Sequence, residues 1–364
     1  MKLKTLLLGS AAALLTVGAA QAADLSAEPV NYVRVCDAFG PGFYYAPGTD
    51  TCIKIGGYVL FDINIGNFSG TLGTSNHYFN TEIGVNVTAS SMTEYGPLIG
   101  FVNFFAISPN PLSANTGPGV LGMGAAVVDD AWLSLGPLLA GYTWSIFNPT
   151  FMPTYEHLWW FTGNTRGSQV RLSWAANGIG IAIAAEDYGA RAPGNVANIP
   201  DLTAALNGSW GNIGLHIGLG YGSRPLLAVA NTWGAAATVR FGLDMLAPGD
   251  ALLIGANYGG NGDEWIDSFF GPFIGVDGLN HWSIYGSFVH FWTPQVSTAI
   301  AGGYRTAGGV NDMNRINANI EFRPVRNFSV GAELNAVQNG VVAGSVAGVP
   351  WVLTGKVRLK RTFP

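Results

Sequence analysis

Charged side chains are scarce in this chain of 364 residues: Asp, Glu, Lys and Arg make up 11% of it, against roughly a quarter in soluble domains. Basic residues are the smaller share, with 17 Lys and Arg against 22 Asp and Glu. The chain therefore lacks the basic field that binds nucleic acid, and we expect no nucleic-acid partner. With only two cysteines, it cannot be a disulfide-dense small scaffold.

Long apolar runs are also missing after the first 22 residues. Residues 1–22 carry Lys2, Lys4, an apolar core and the small-residue site Ala20-Gln21-Ala22, a pattern typical of a secretory signal peptide. Beyond them no apolar stretch reaches the roughly 18 residues that a transmembrane helix needs. Yet 48% of the chain is hydrophobic, so its apolar residues must be arranged differently.

Apolar residues alternate with small or polar ones along much of the chain. Ile179, Ile181 and Ile183 form one such run, and a second extends from Ile213 to Leu219. A period of two is typical of β-strands with one apolar face. Because lipid can cover that face on the outside of a closed barrel, the pattern predicts a transmembrane β-barrel. A secreted β-sandwich or β-solenoid is the alternative.

The links between the strands alternate in length. Seven compact turn signals, among them Asn177-Gly178 and Gly211-Asn212, alternate with eight longer polar stretches. Together they join sixteen strands, with both termini on the short-turn side, as in outer-membrane barrels. We therefore predict an all-β fold: a 16-stranded antiparallel transmembrane β-barrel over residues 52–364, preceded by an N-terminal segment, residues 23–51. The long stretches lie at about 65–77, 108–125, 145–167, 187–202, 223–232, 259–280, 305–313 and 338–350.

The same alternation places charged side chains inside the barrel. Keeping them in water avoids a cost of about 2–4 kcal/mol for each basic residue at mid-membrane. A barrel of sixteen strands is too wide for side chains to fill, so we expect an aqueous channel. The charged residues expected to line it are Lys54, Asp62, Arg171, Arg315, Glu321, Lys356 and Arg358.

Aromatic residues on the lipid-facing phase are expected in two rows, one at each membrane interface. The outer row is Tyr221, Trp233, Tyr258, Trp282, Tyr304 and Trp351, and the inner row is Trp174, Trp210, Trp292, Phe322 and Phe328.

Two stretches resemble a known family. Residues 32–62, YVRVCDAFGPGFYYAPGTDTCIKIGGYVLFD, look like the N-terminal signature of the alphaproteobacterial general porins. Residues 131–148, AWLSLGPLLAGYTWSIFN, are similar to the strand that enters the constriction loop of these porins. The resemblance implies a homotrimeric porin in the lipid bilayer of the bacterial outer membrane, passing small hydrophilic solutes and ions by passive diffusion. It also implies that the third long loop folds into the barrel. The chain departs from the family at Leu60 and Tyr142, where Arg is common, and at Asn148, where Asp is common.

The candidate constriction loop, about 145–167, allows two interpretations. In the first, Glu156 and His157 reach into the lumen and the aromatic residues narrow it. In the second, the aromatic residues anchor the loop against the inner wall or pack at the trimer axis. Because no Lys or Arg occurs between Lys54 and Arg166, we predict weak charge selectivity. The loop residues concerned are Tyr155, Glu156, His157, Trp159, Trp160 and Phe161.

Cys36 and Cys52 are expected to form a disulfide, because an exported protein passes through an oxidising compartment. The bond would close a loop of about 15 residues. Free thiols or a metal site are the less favoured alternatives, since no His lies nearby in the sequence.

Other functions have weaker support in the sequence. The five histidines are dispersed, so we expect no metal, no cofactor and no enzyme activity. An outer-membrane hydrolase could at best combine Ser209 with His216. The acids Asp263, Glu264 and Asp267 could bind calcium, although solvated loop acids are the favoured interpretation. A channel that prefers sugars through its aromatic loop and a purely structural or adhesive barrel are the remaining alternatives.

Overall fold

The computed structural model describes residues 34–66, 77–108, 126–156, 159–163, 165–187, 199–223, 231–262, 265–266, 278–307, 312–338 and 351–363. Sixteen antiparallel strands form one closed ring, in which each strand pairs with the next and β17 pairs with β2. A two-residue strand, β1 (Tyr44–Tyr45), pairs with the start of β2. The predicted 16-stranded barrel is confirmed. The strands of the ring are β2 (Cys52–Ile65), β3 (His77–Thr93), β4 (Gly96–Ile107), β5 (Ala126–Leu135), β6 (Leu138–Trp144), β7 (Arg166–Ala176), β8 (Ile179–Asp187), β9 (Asp201–Trp210), β10 (Ile213–Gly222), β11 (Thr232–Gly242), β12 (Ala251–Gly260), β13 (His281–Thr293), β14 (Val296–Ala307), β15 (Met313–Val325), β16 (Phe328–Gln338) and β17 (Val352–Phe363).

The predicted compact turns connect the strands in pairs, and a longer link leads from each pair to the next. At the turn between β7 and β8, Asn177 and Gly178 have φ values of 52° and 78°. Two central residues with positive φ suit a two-residue hairpin turn, because their twist matches that of the strands. One turn differs from its prediction: the β11–β12 connection covers residues 243–250, not only the expected Pro248 to Asp250.

The two faces of each strand differ as the alternation predicts. On β15, Ile316 and Ile320 are 47% and 52% exposed on the outer face, whereas Arg315 and Asn317 on the inner face are buried. The outer surface is therefore apolar and the polar residues face inward. Aromatic residues that are exposed on the outer face include Trp174, Trp210, Tyr221, Trp233, Trp282, Trp292 and Phe322.

The N-terminal segment is attached to the start of the barrel. Cys36 and Cys52 form the expected disulfide, with Cα atoms 6.0 Å apart. The Cys36 amide also donates to the Phe43 carbonyl at 3.0 Å. The disulfide therefore fixes the segment to Cys52, the first residue of β2.

Helical structure is minor in the described part of the chain. It consists of a 3-10 turn at Asp37–Phe39 and one α-helical turn, α1 (Trp159–Thr162). Among the described residues, no helix has the length and apolar character needed to cross a membrane.

Candidate functional site

The chain that leaves β6 contacts the inner faces of distant strands. The Asn148 amide donates to Asn257 on β12 at 3.0 Å and to the Tyr285 hydroxyl on β13 at 2.6 Å. On β10, Nε2 of His216 lies 2.9 Å from the Phe147 carbonyl oxygen. These buried hydrogen bonds hold the start of the segment against β10, β12 and β13.

Glu156, further along the segment, is held by the part of the wall that follows β14. Its carboxylate pairs with Lys356 on β17 and, at 3.4 Å, with Arg315 on β15. Its backbone carbonyl accepts a 2.6 Å hydrogen bond from the Asn317 amide, and its backbone N–H donates to Glu333 on β16 at 2.8 Å. Side-chain and backbone groups together therefore fix this one residue to β15, β16 and β17.

The ionisation of Glu156 is governed by its neighbours. Burial by itself would raise the pKa of this carboxyl, but the charges of Lys356 and Arg315 outweigh it and lower the pKa to about 2. With 37% of its side chain exposed, the carboxylate still faces open space. Glu156 is therefore a fixed negative charge at neutral pH.

Tyr155 binds the same wall through its hydroxyl and its ring. The hydroxyl donates to Glu321 at 3.0 Å, and the guanidinium of Arg358 lies 4.8 Å from the ring centroid. The hydroxyl also lies so close to Gly331 on β16 that a Cβ there would come within 3.0 Å of it. Because Gly331 has no side chain, Tyr155 can approach the wall at this position.

A bidentate ion pair joins β17 to β2, the two strands whose pairing closes the barrel. Arg358 donates through Nε and Nη2 to the two carboxylate oxygens of Asp62, each at 2.7 Å. Lys356 lies 3.6 Å from the same carboxylate, and Arg323 lies 2.6 Å from Glu321. We call this network the seam cluster; its members are Asp62, Glu156, Glu321, Glu333, Arg315, Arg323, Lys356 and Arg358.

Two predicted pore-lining residues lie elsewhere. Lys54 donates to the Pro41 carbonyl at 3.3 Å and lies over the Phe43 ring, so it binds the N-terminal segment. Arg171 lines a cavity of about 410 Å³ together with Ile146. These contacts of the two residues do not include Glu156, and their role in lining the channel stays a prediction.

The loop aromatics are only partly described. Phe161 is fully buried and packs with Met152, Tyr285, Ala301 and Met313. Its carbonyl also accepts a hydrogen bond from Ser283. For Phe161 these contacts favour the interpretation in which the aromatic residues anchor the loop. Trp159 and Trp160 begin α1 without described side chains, and His157 lies outside the described residues.

Several contact residues escaped the sequence interpretation. The alternation along β16 and β15 predicts that Glu333 and Asn317 face inward. Their partners, however, are about 160 or more residues away in the chain, so the sequence does not indicate these contacts. A second group was also missed: Arg166 pairs with Asp129 and lies 3.8 Å from the centroid of the Trp144 ring. Only the folded barrel brings these residues together.

The non-channel candidates receive no support from the described contacts. Nδ1 of His216 lies 2.8 Å from Asn207, and Nε2 faces the Phe147 carbonyl, so both ring nitrogens face groups other than Ser209. Asp263, Glu264 and Asp267, the calcium candidates, lie outside the described residues. Within the described part of the chain, no three His, Cys, Asp or Glu residues form a metal-binding group.

Two relatives illustrate the similarity in sequence. Porin Omp2b of Brucella suis biovar 1 is 27% identical over an alignment that covers 100% of both chains. The putative outer membrane protein y4fJ of Sinorhizobium fredii is 39% identical over 157 residues, which is 40% of this chain and 43% of that protein.

Solved structures share the barrel. The outer membrane channel DcaP of Acinetobacter baumannii has a TM-score of 0.68 at 14% identity, covering 88% of this chain and 99% of its own. A triple mutant of the Rhodopseudomonas blastica porin has a TM-score of 0.54 at 10% identity, covering 85% of this chain and all of its own.

A family model described as the porin subfamily matches residues 23–347, which is most of the chain. Together with the closed barrel, this match makes the chain a member of the porin subfamily: a multi-pass β-barrel of the bacterial outer membrane that forms a channel for passive diffusion.

Proposed function

We propose that this channel passes small hydrophilic solutes and ions through a water-filled lumen, and that residues 145–163 form its constriction. The observation that carries the proposal is the attachment of Glu156 to Lys356 and Arg315, while Asn148 is attached to β12 and β13. These strands lie five or more positions around the ring from β6, where the segment begins, which supports a segment that crosses the lumen. It therefore reduces the open cross-section that sixteen strands would otherwise leave.

We propose weak charge selectivity at this constriction. The seam cluster contains four acids and four bases, so its formal charges cancel. Glu156 and Asp62 are each paired with bases, which reduces the field that either sign of charge projects into the lumen. A small imbalance, as after removal of Glu156, should then be visible in ion selectivity.

Solute flux into liposomes tests the diffusion mechanism. Purified protein should let a series of uncharged sugars enter at rates that fall with molecular size and rise linearly with concentration. Entry of one sugar that saturates, while its isomers of the same size enter slowly, would favour the substrate-preferring channel. Absence of any flux from correctly inserted protein would favour a structural barrel.

Processing, assembly and the absence of catalysis are also proposals. We propose that residues 1–22 are removed as a signal peptide, that residues 23–51 form a segment ahead of the barrel, and that the protein is a homotrimer without enzyme activity or cofactor. The family match, which begins at residue 23, supports the first point. One solved neighbour, OmpT of Vibrio cholerae, is described in a trimer form. Intact mass and native mass spectrometry of outer-membrane material test processing and assembly, and an ester-hydrolysis assay tests the absence of catalysis.

A further inference from the structure

The connection between β12 and β13 also reaches into the barrel. Its described residues include Trp265 and Ile266, which are 4% and 0% exposed. They belong to the link between Gly260 and His281, on the long-loop side of the barrel. An outer loop that buries a tryptophan so completely must press it against other parts of the protein.

The inner wall has a glycine-lined surface that contacts this tryptophan. The Trp265 ring lies over Gly220 on β10 and Gly234 on β11, and a Cβ at either glycine would come within 3.0 Å of ring or side-chain atoms. Its indole N–H donates to the Thr232 hydroxyl at 3.3 Å, and its carbonyl accepts from the Asn257 amide at 3.3 Å. The side chain therefore lies flat on a patch of wall from which side chains are missing.

The other side of Trp265–Ile266 contacts the constriction. The Trp265 ring centroid lies 4.9 Å from that of Phe147, and the Gly163 amide donates to the Ile266 carbonyl at 2.7 Å. Gly163 has a φ of 58°, and a Cβ there would collide with the Trp265 carbonyl. Phe147 and Gly163 lie near the two ends of the constriction segment, so the β12–β13 loop holds both ends at once.

We propose that Trp265–Ile266 is a positioning latch, which fixes both ends of the constriction and thereby sets the open area of the channel. The inference rests on the proposed function, in that residues 145–163 are taken as the constriction. Buried aromatic side chains of this size remove about 150–250 Å² from water. The latch therefore keeps the segment from moving between alternative positions. As a result, Glu156 stays within reach of Lys356 and Arg315.

Removal of the ring tests the latch. Trp265→Ala should raise the single-channel conductance roughly 1.5-fold, because the vacated volume lets the segment move, and it should broaden the distribution of conductance steps. The matched control is Trp174→Ala, which removes a tryptophan 53% exposed on the outer face and should leave conductance unchanged. A folded Trp265→Ala protein with the conductance and step distribution of the wild type would overturn the proposal.

A second variant approaches the same contact from the wall. Gly220→Ala places a methyl group where the Trp265 ring lies, so it should change conductance in the same direction. In the Trp265→Ala background the methyl group meets no ring, so Gly220→Ala should then have no further effect. Additive effects of the two substitutions would contradict the latch. Because Gly220→Ala retains the tryptophan, it tests the latch even if Trp265→Ala does not fold.

The latch and the constriction fail in distinguishable ways. Glu156→Gln reports on the constriction through ion selectivity and leaves Trp265 untouched. A selectivity change in Glu156→Gln, with no effect of Trp265→Ala or Gly220→Ala, would overturn the latch alone. No effect of any of the three variants would overturn the latch and the constriction together.

Discussion

Glu156 lies between two cations, Lys356 and Arg315, and its removal takes one negative charge away from both. A unit charge about 4 Å away in water is worth about 1 kcal/mol, and salt reduces this value. We therefore expect Glu156→Gln to raise the anion-to-cation permeability ratio roughly two- to fivefold. Reversal potentials in a potassium chloride gradient measure this ratio.

The control for this substitution is Asp244→Asn. It removes the same charge from the exposed turn between β11 and β12, where Asp244 accepts from the Gly249 amide. We expect it to leave the permeability ratio unchanged. An unchanged ratio in Glu156→Gln as well would exclude Glu156 from the conduction path.

The pH dependence of the Glu156 effect follows from its lowered pKa. An ordinary glutamate has a pKa of 4.5, whereas that of Glu156 is about 2. Stabilisation by its ion pairs is therefore complete above the ordinary value and is lost only as pH falls through about 2. The difference in reversal potential between wild type and Glu156→Gln should stay constant from pH 7 to pH 4. Loss of that difference near pH 4.5 would show that Lys356 and Arg315 do not hold the carboxylate.

At the scale of single strands, β15 separates lipid from water most clearly. Ile320 is 52% exposed on the outer face, where a charged side chain would contact lipid. Ile320→Arg should therefore destabilise the barrel by about 2–4 kcal/mol, the cost of a basic residue at mid-membrane. Urea titration of protein in lipid vesicles measures this loss. Ser329→Arg on the inner phase of β16, beside a cavity of about 550 Å³, is the control. Equal stability of the two variants would contradict the assignment of faces.

The disulfide should contribute to stability without affecting conduction. Cys36 and Cys52 are 16 residues apart, and closure of such a loop contributes roughly 3 kcal/mol in the chain-entropy model. A double substitution to serine should therefore lower the urea midpoint, while the single-channel conductance remains that of the wild type. A changed conductance would show that the N-terminal segment contributes to the channel.

The strands were predictable from the sequence, and the contacts of the long loops were not. Alternation along β8 and β10 sets the faces locally, and a signal such as Asn177-Gly178 marks the reversal, so neighbouring residues determine both. The contacts of Glu156 and Trp265 join residues on strands far apart in the chain, and no local period reports them. One signal was available: Gly218 and Gly220 leave two successive inward positions of β10 without side chains, which indicates that another segment approaches the wall.

At the scale of the whole molecule, apolar outer faces and inward charges form one closed wall, and the proposed constriction crosses the space inside it. We propose that such a molecule conducts ions through water and that the constriction limits the current.

Single-channel recording in planar bilayers tests this most directly. Purified protein should produce discrete conductance steps that increase in proportion to the conductivity of the bathing salt solution, because the ions remain in water. Protein that inserts into the bilayer without conductance steps, or whose conductance does not follow the salt concentration, would contradict a water-filled channel.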